Sequence, residues 1–175
     1  MTSKSSRYGL SGSNVRTFDP NCPVCGLAMP GRRVFFSFNF EDSSRAMVVR
    51  DNWVTEDNTV AGIIDAAEFE ALEQEGDIAT MAWIDDQLAD TSVTVVLLTD
   101  ETAANRWMTY EIQRSKDLGH GLLGIGISSI EDSNGDTSGR WYKIPTGFPY
   151  YQWIKDDGYN NIGRWIEAAA ATVTK

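Results

Sequence analysis

Ser92-Val93-Thr94-Val95-Val96-Leu97-Leu98 carries the clearest strand signal in the chain. Its valines and leucines leave no wet face, so it predicts a strand buried on both sides, as in the middle of a parallel sheet. Thr99 and Asp100 lead from it into a helical segment, Thr102 to Lys116. Trp107 and Glu111 stand four residues apart there and share one helical face. They lie just beyond the strand's carboxyl end, the side on which open α/β sheets collect ligands. An indole offers a flat stacking surface, and a carboxylate can hold hydroxyls or stabilise developing positive charge. The pair therefore suits a nucleotide-sugar substrate. The same spacing also fits a core Trp beside a solvated Glu on an ordinary amphipathic helix.

Upstream, Val34-Phe35-Phe36-Ser37-Phe38 is a second apolar run of strand formers. Asn39, Phe40, Glu41 and Asp42 follow it, then a helix from Ser43 to about Val54 with Ser or Asp as cap. Val60 to Ile64, ending at Asp65, predicts a weaker strand. Ala66 to Glu75 and Asp77 to Leu88 read as helical with a break at Gly76, the acidic pair Asp85 and Asp86 lying on a solvated edge. Downstream, Gly119 reads as a helix stop before a buried strand, Leu122 to Ile127. Ser128 to Gly139 is polar loop, and Asp157 to Val173 gathers Ile162, Trp165, Ile166 and Ala169 on one helical face. Alternating strands and helices call for an α/β fold, a doubly wound parallel sheet flanked by helices. Residues 1–31, rich in Ser, Gly, Pro and Asn, read as a mobile or loosely docked N-terminal extension, and residues 32–175 as the one domain.

With 175 residues, 42% of them hydrophobic and 11% aromatic, the chain can bury one full core. A formal net charge of −10 repels nucleic acid and anionic membrane surfaces. No apolar run approaches the roughly 20 residues a bilayer span needs, and Met1 to Ser6 lacks the apolar core of a signal peptide, so a cytoplasmic protein is expected. Cys22 and Cys25 form a Cys-x-x-Cys amid prolines and glycine. With His120 the single histidine, four zinc ligands are not assembled within one chain, and the setting is not the strand-to-helix turn of a redox pair.

Three tempting motifs fail on context. Gly119, Gly121 and Gly124 spell G-x-G-x-x-G, but a helix precedes them and a strand follows, the reverse of a dinucleotide fingerprint. They read instead as a helix stop and close strand packing. Asp132, Asn134, Asp136 and Ser138 imitate a calcium loop, yet Thr137 and Lys143 stand where Gly and Glu are required. His120 has no identifiable nucleophile partner.

Val34 to Asp42, a hydrophobic strand with Ser, an aromatic and an acidic loop, resembles the opening of TIR domains. Arg106-Trp107-Met108-Thr109-Tyr110-Glu111 resembles the TIR pattern in which a Trp precedes the catalytic Glu by four residues. The chain is closer still to the TIR-like ThsB proteins of Thoeris anti-phage defence. Counterparts there include Arg50 to Val54, Thr91 to Thr94, Tyr151 to Ile154 and Asp156 to Asn160, and the likeness spans about Arg32 to Trp165.

This resemblance implies a single TIR-like, flavodoxin-like domain. It implies an enzyme that uses NAD+ as substrate, with no cofactor or metal, and makes a cyclic ADP-ribose isomer. That diffusible product would activate a separate effector after a phage-derived trigger. Glu111 would be the catalytic carboxylate and Trp107 an aromatic wall, with Ser37, Phe38, Asn39 and Asp65 in supporting contact with substrate. Neighbouring copies complete the site in many TIR enzymes, so a homo-oligomer belongs with the expected partners. An NAD+-depleting hydrolase and a non-catalytic interaction module stay open as alternatives. Asn39-Phe40 also departs from hydrolytic TIR domains, which place basic residues there.

Overall fold

The computed structural model describes residues 31–54, 57–99, 105–138 and 147–173. The expected N-terminal extension, with Cys22 and Cys25, lies outside them. In chain order the described elements are β1 (Arg33–Ser37), a 3-10 turn (Phe40–Asp42), α1 (Ser43–Trp53), β2 (Thr59–Ala61), α2 (Ala66–Glu75), α3 (Asp77–Ala89), β3 (Val93–Leu98), α4 (Arg106–Asp117), β4 (Gly121–Gly126), β5 (Tyr150–Gln152) and α5 (Gly158–Ala171).

The five strands form one sheet in the order β2-β1-β3-β4-β5, with every pairing parallel. β3 is the middle strand and all six of its residues are buried, as its composition predicts. Alternation along β1 splits the core in two. Val34 and Phe36 join Val49, Trp53, Ile162 and Trp165 under α1 and α5, while Phe35 joins Phe69, Ile84, Leu88 and Trp107 under α2, α3 and α4. Helices thus cover both faces, and Ser37, next in the alternation after Phe36, faces α4.

Two strands differ from expectation. β2 stops at Ala61, not Ile64, because Gly62 turns the chain with φ +78°, and a Cβ there would lie 2.7 Å from the Phe36 carbonyl oxygen. β5 is an edge strand of three half-buried residues, too short and too polar to stand out as an apolar run. The glycines of the rejected dinucleotide motif do act as a stop and as packing. Gly119 has φ +72° just after α4, and a Cβ on Gly121 would meet the Ala169 carbonyl oxygen at 2.4 Å.

The carboxyl edge of the sheet is tied together by Arg45, a buried guanidinium on α1. It donates to the Ile130 carbonyl at 2.9 Å, the Asp136 carbonyl at 2.8 Å, Asp42 Oδ1 at 3.1 Å and Asp132 Oδ2 at 3.3 Å. Thr99 Oγ1 donates to the other Asp42 oxygen, so segments following β1, β3 and β4 share one network. This is the calcium-like loop of the sequence. Asp132 turns Oδ1 inward to the Asn134 and Asp136 amides, and those bonds hold its carboxyl below the usual range.

Candidate active site

Asn105 begins the site. Its side chain accepts from the backbone N–H of Trp107 at 2.9 Å and of Met108 at 3.4 Å, capping α4. The cap sets the register of α4, and Glu111 falls one turn further on. A buried hydroxyl chain holds that turn against the sheet: Thr94 and Ser115 lie 2.7 Å apart, and Ser115 Oγ donates to the Glu111 carbonyl at 2.7 Å.

Glu111 is only 8% exposed. Its carboxylate accepts one hydrogen bond, from Ser37 Oγ at 2.5 Å, and otherwise faces a narrow cavity of about 20 Å³ walled by Phe38, Phe40, Phe69, Trp83, Trp107 and Met108. Such a cavity holds about one water. Burial among these side chains pushes the Glu111 pKa up to about 8, because the apolar walls disfavour the ion more than one serine hydroxyl favours it. At neutral pH Glu111 is therefore mostly the neutral acid.

The structure brings Ser37, Phe38, Trp107 and Glu111 together. Trp107 is 6% exposed, so its ring is largely core, and its indole Nε1 donates to Glu73 Oε1 at 2.6 Å. Asn39 lies on the rim, lining a more open cavity of about 400 Å³ that shares Phe40, Phe69, Asn105 and Trp107 with the first. Asp65 lines neither cavity. It is exposed and caps α2, accepting from the Glu68 amide at 2.8 Å, since the chain has already turned at Gly62. Asp85, expected on a solvated edge, instead accepts from Tyr110 at 3.0 Å and Arg114 at 2.8 Å and ties α3 to α4. His120 sits before β4, at the amino end of the sheet, where burial lowers its pKa.

Glu73, Asn105, Trp83 and Arg106 were not anticipated. Asn105 carried a readable signal, an Asn immediately before a periodic helical stretch. Glu73 carried none, because it reaches Trp107 across 34 positions of chain.

Fold and site together define a flavodoxin-like α/β protein with a buried carboxylate on the helix that follows its central strand. The profile of the family described as Thoeris protein ThsB, TIR-like domain, matches residues 35–132. A relative from Bacillus cereus (strain MSX-D12), named "Putative cyclic ADP-D-ribose synthase ThsB1", is 30% identical over 189 residues, covering 77% of this chain and 98% of its own. The chain belongs to the Thoeris ThsB family of TIR-like proteins. Among solved structures, a 3-dehydroquinate dehydratase-like protein from Bifidobacterium longum overlays with a TM-score of 0.43 at 14% identity, over 84% of this chain and 100% of its own. That likeness is too distant to bear on function. No described helix is long and apolar enough to cross a membrane.

Proposed function

We propose that the protein cleaves NAD+ at the nicotinamide–ribose bond and closes the remainder into a cyclic ADP-ribose isomer, a signal that activates a partner effector in anti-phage defence. The observation that carries this reading is Glu111, a buried carboxylate held by Ser37 against aromatic walls. It stands in a chain that matches nearly the whole length of a relative named for cyclic ADP-D-ribose synthesis.

The chemistry follows from charge. NAD+ brings a cationic pyridinium against a carboxyl whose pKa burial has raised to about 8, and that cation favours the ionised form. When the C1′–N bond breaks, its electron pair leaves with neutral nicotinamide and the positive charge passes to the ribose C1′. A fixed carboxylate stabilises this oxocarbenium-like centre without reorganising. A nucleophile from the adenosine half of the same molecule then forms the new bond to C1′ and gives up its proton, if it carries one. With the cation discharged, Glu111 returns to its high proton affinity and can accept that proton. The cavity, with room for about one water, must open to admit the nicotinamide ribose, and the intramolecular nucleophile prevails when the bound substrate keeps water from C1′.

Incubation of the purified, activated protein with NAD+, followed by mass spectrometry, tests the reading. A cyclic isomer and free nicotinamide are the expected products. Linear ADP-ribose alone would leave a hydrolase and sink the cyclase claim.

Ser37 supplies a further prediction. Its hydroxyl lowers the Glu111 pKa, so Ser37→Ala removes a bond to the charged form. A hydrogen bond to a charged group contributes roughly 1.5–3 kcal/mol, or about one to two pH units. The pH profile of kcat/KM, which reports the free enzyme, should rise through about pH 8 in wild type and one to two units higher in Ser37→Ala. Superimposable profiles would remove Ser37 from the account.

A further inference from the structure

A dinucleotide carries a pyrophosphate, the chain carries a net charge of −10, and the turn after β1 offers Asn39, Phe40, Glu41 and Asp42 with no cation. Arg45 on α1 is buried and fully engaged by two carboxylates and two carbonyls. Among the described residues, one cation lines the cavities around Trp107, and it is Arg106.

Arg106 is the first residue of α4 and its side chain is 61% exposed. Its guanidinium lies over the Trp107 ring, with Cζ 4.3 Å from the centroid. Both terminal nitrogens grip Asp77, at 3.1 and 3.0 Å, and one of them lies 3.7 Å from Glu73. This two-pronged hold on Asp77 is the geometry in which arginine binds a phosphate. Asp77 begins α3 and Glu73 is near the end of α2, so the carboxylates holding Arg106 flank Gly76, which joins the two helices with φ +105°. Arg106 lies five residues before Glu111, about 7.5 Å along the helix axis, and it borders the roomier cavity of about 400 Å³ on the outer side of Trp107.

Resting on the NAD+ reading, we propose that Arg106 is the phosphate-binding residue of this site, and that the substrate pyrophosphate takes its guanidinium over from Asp77 and Glu73. The nicotinamide ribose then lies toward Glu111, and the pyrophosphate crosses the edge of Trp107 into the outer cavity. Asp77 and Glu73 hold the guanidinium in place until the pyrophosphate displaces them. An exposed ion pair contributes little to stability, so exchanging one anion for another is easy. Glu70 and Glu73 on the cavity wall would repel a pyrophosphate that Arg106 did not offset.

Steady-state kinetics with NAD+ and calorimetry with ADP-ribose test this. Arg106→Met keeps the aliphatic stem on Trp107 but removes the charge. It should raise KM for NAD+ about tenfold or more with kcat within threefold, and Arg106→Lys should recover part of the loss. Asp77→Asn, which loosens the hold on the guanidinium without touching Trp107, should lower KM. In the turnover-deficient Glu111→Gln protein, ADP-ribose affinity should fall by a similar factor when Arg106→Met is added. KM and ADP-ribose affinity within twofold of the parent, or a loss confined to kcat, would overturn the assignment while leaving the NAD+ reading intact. Absence of NAD+ turnover in wild type would instead overturn the reading on which it rests.

Discussion

Glu111→Gln is expected to lower the rate of NAD+ cleavage by roughly 100-fold or more, the usual cost of removing one preorganised electrostatic partner of a transition state. Gln has the shape of Glu and can still accept from Ser37 Oγ, so the walls of the cavity should not collapse. What vanishes is the only carboxylate lining this cavity among the described residues, and with it the negative charge proposed to face C1′. The loss should fall on kcat and on kcat/KM together, because the charge matters most when the glycosidic bond is breaking. Nicotinamide release measured for both proteins checks the claim. Turnover within a few-fold of wild type would make Glu111 a buried structural acid and favour the non-catalytic interaction module.

The same substitution should make the protein more stable, by an amount that depends on pH. The Glu111 pKa is raised from 4.5 to about 8 in the folded state. Between these values the folded chain keeps a proton that the unfolded chain has released, so wild-type stability falls as pH rises through that window and levels off above it. At about 1.4 kcal/mol per pH unit, the full shift corresponds to about 5 kcal/mol. Gln has no proton to lose. Urea unfolding at pH 5 should find the two proteins close together, and at pH 8.5 it should find Glu111→Gln more stable by several kcal/mol. An equal difference at both pH values would contradict a carboxyl held neutral by burial. The two predictions are coupled, since a group kept at a cost to stability but required for turnover is a familiar pattern at functional sites.

The sheet was legible where burial is extreme. β3 and β4 carry side chains that tolerate no wet face, and β1 has one fully buried polar residue, Ser37, which proves to be the partner of Glu111. The break at Gly76 and the stop at Gly119 were legible because both glycines adopt positive φ. β5 was not, because Tyr150, Tyr151 and Gln152 form a short, half-exposed edge whose pairing with β4 supplies what periodicity does not. Trp107 and Glu111 could be placed on one helical face from spacing alone. Spacing could not reveal that Trp107 is nearly enclosed and bonded to Glu73, or that Asp65 caps a helix and Asp85 ties two others together. Those outcomes depend on which surfaces of α2 and α3 meet α4, a long-range fact that no local pattern encodes.

If Glu111 drives conversion of NAD+ into a cyclic signal, mass spectrometry of small molecules from cells expressing wild type or Glu111→Gln, with and without phage, will show it. A cyclic ADP-ribose isomer should accumulate in infected wild-type cells and be missing from infected Glu111→Gln cells. The same isomer at the same level in both would remove Glu111 from the chemistry, and linear ADP-ribose alone in wild type would make the protein a hydrolase.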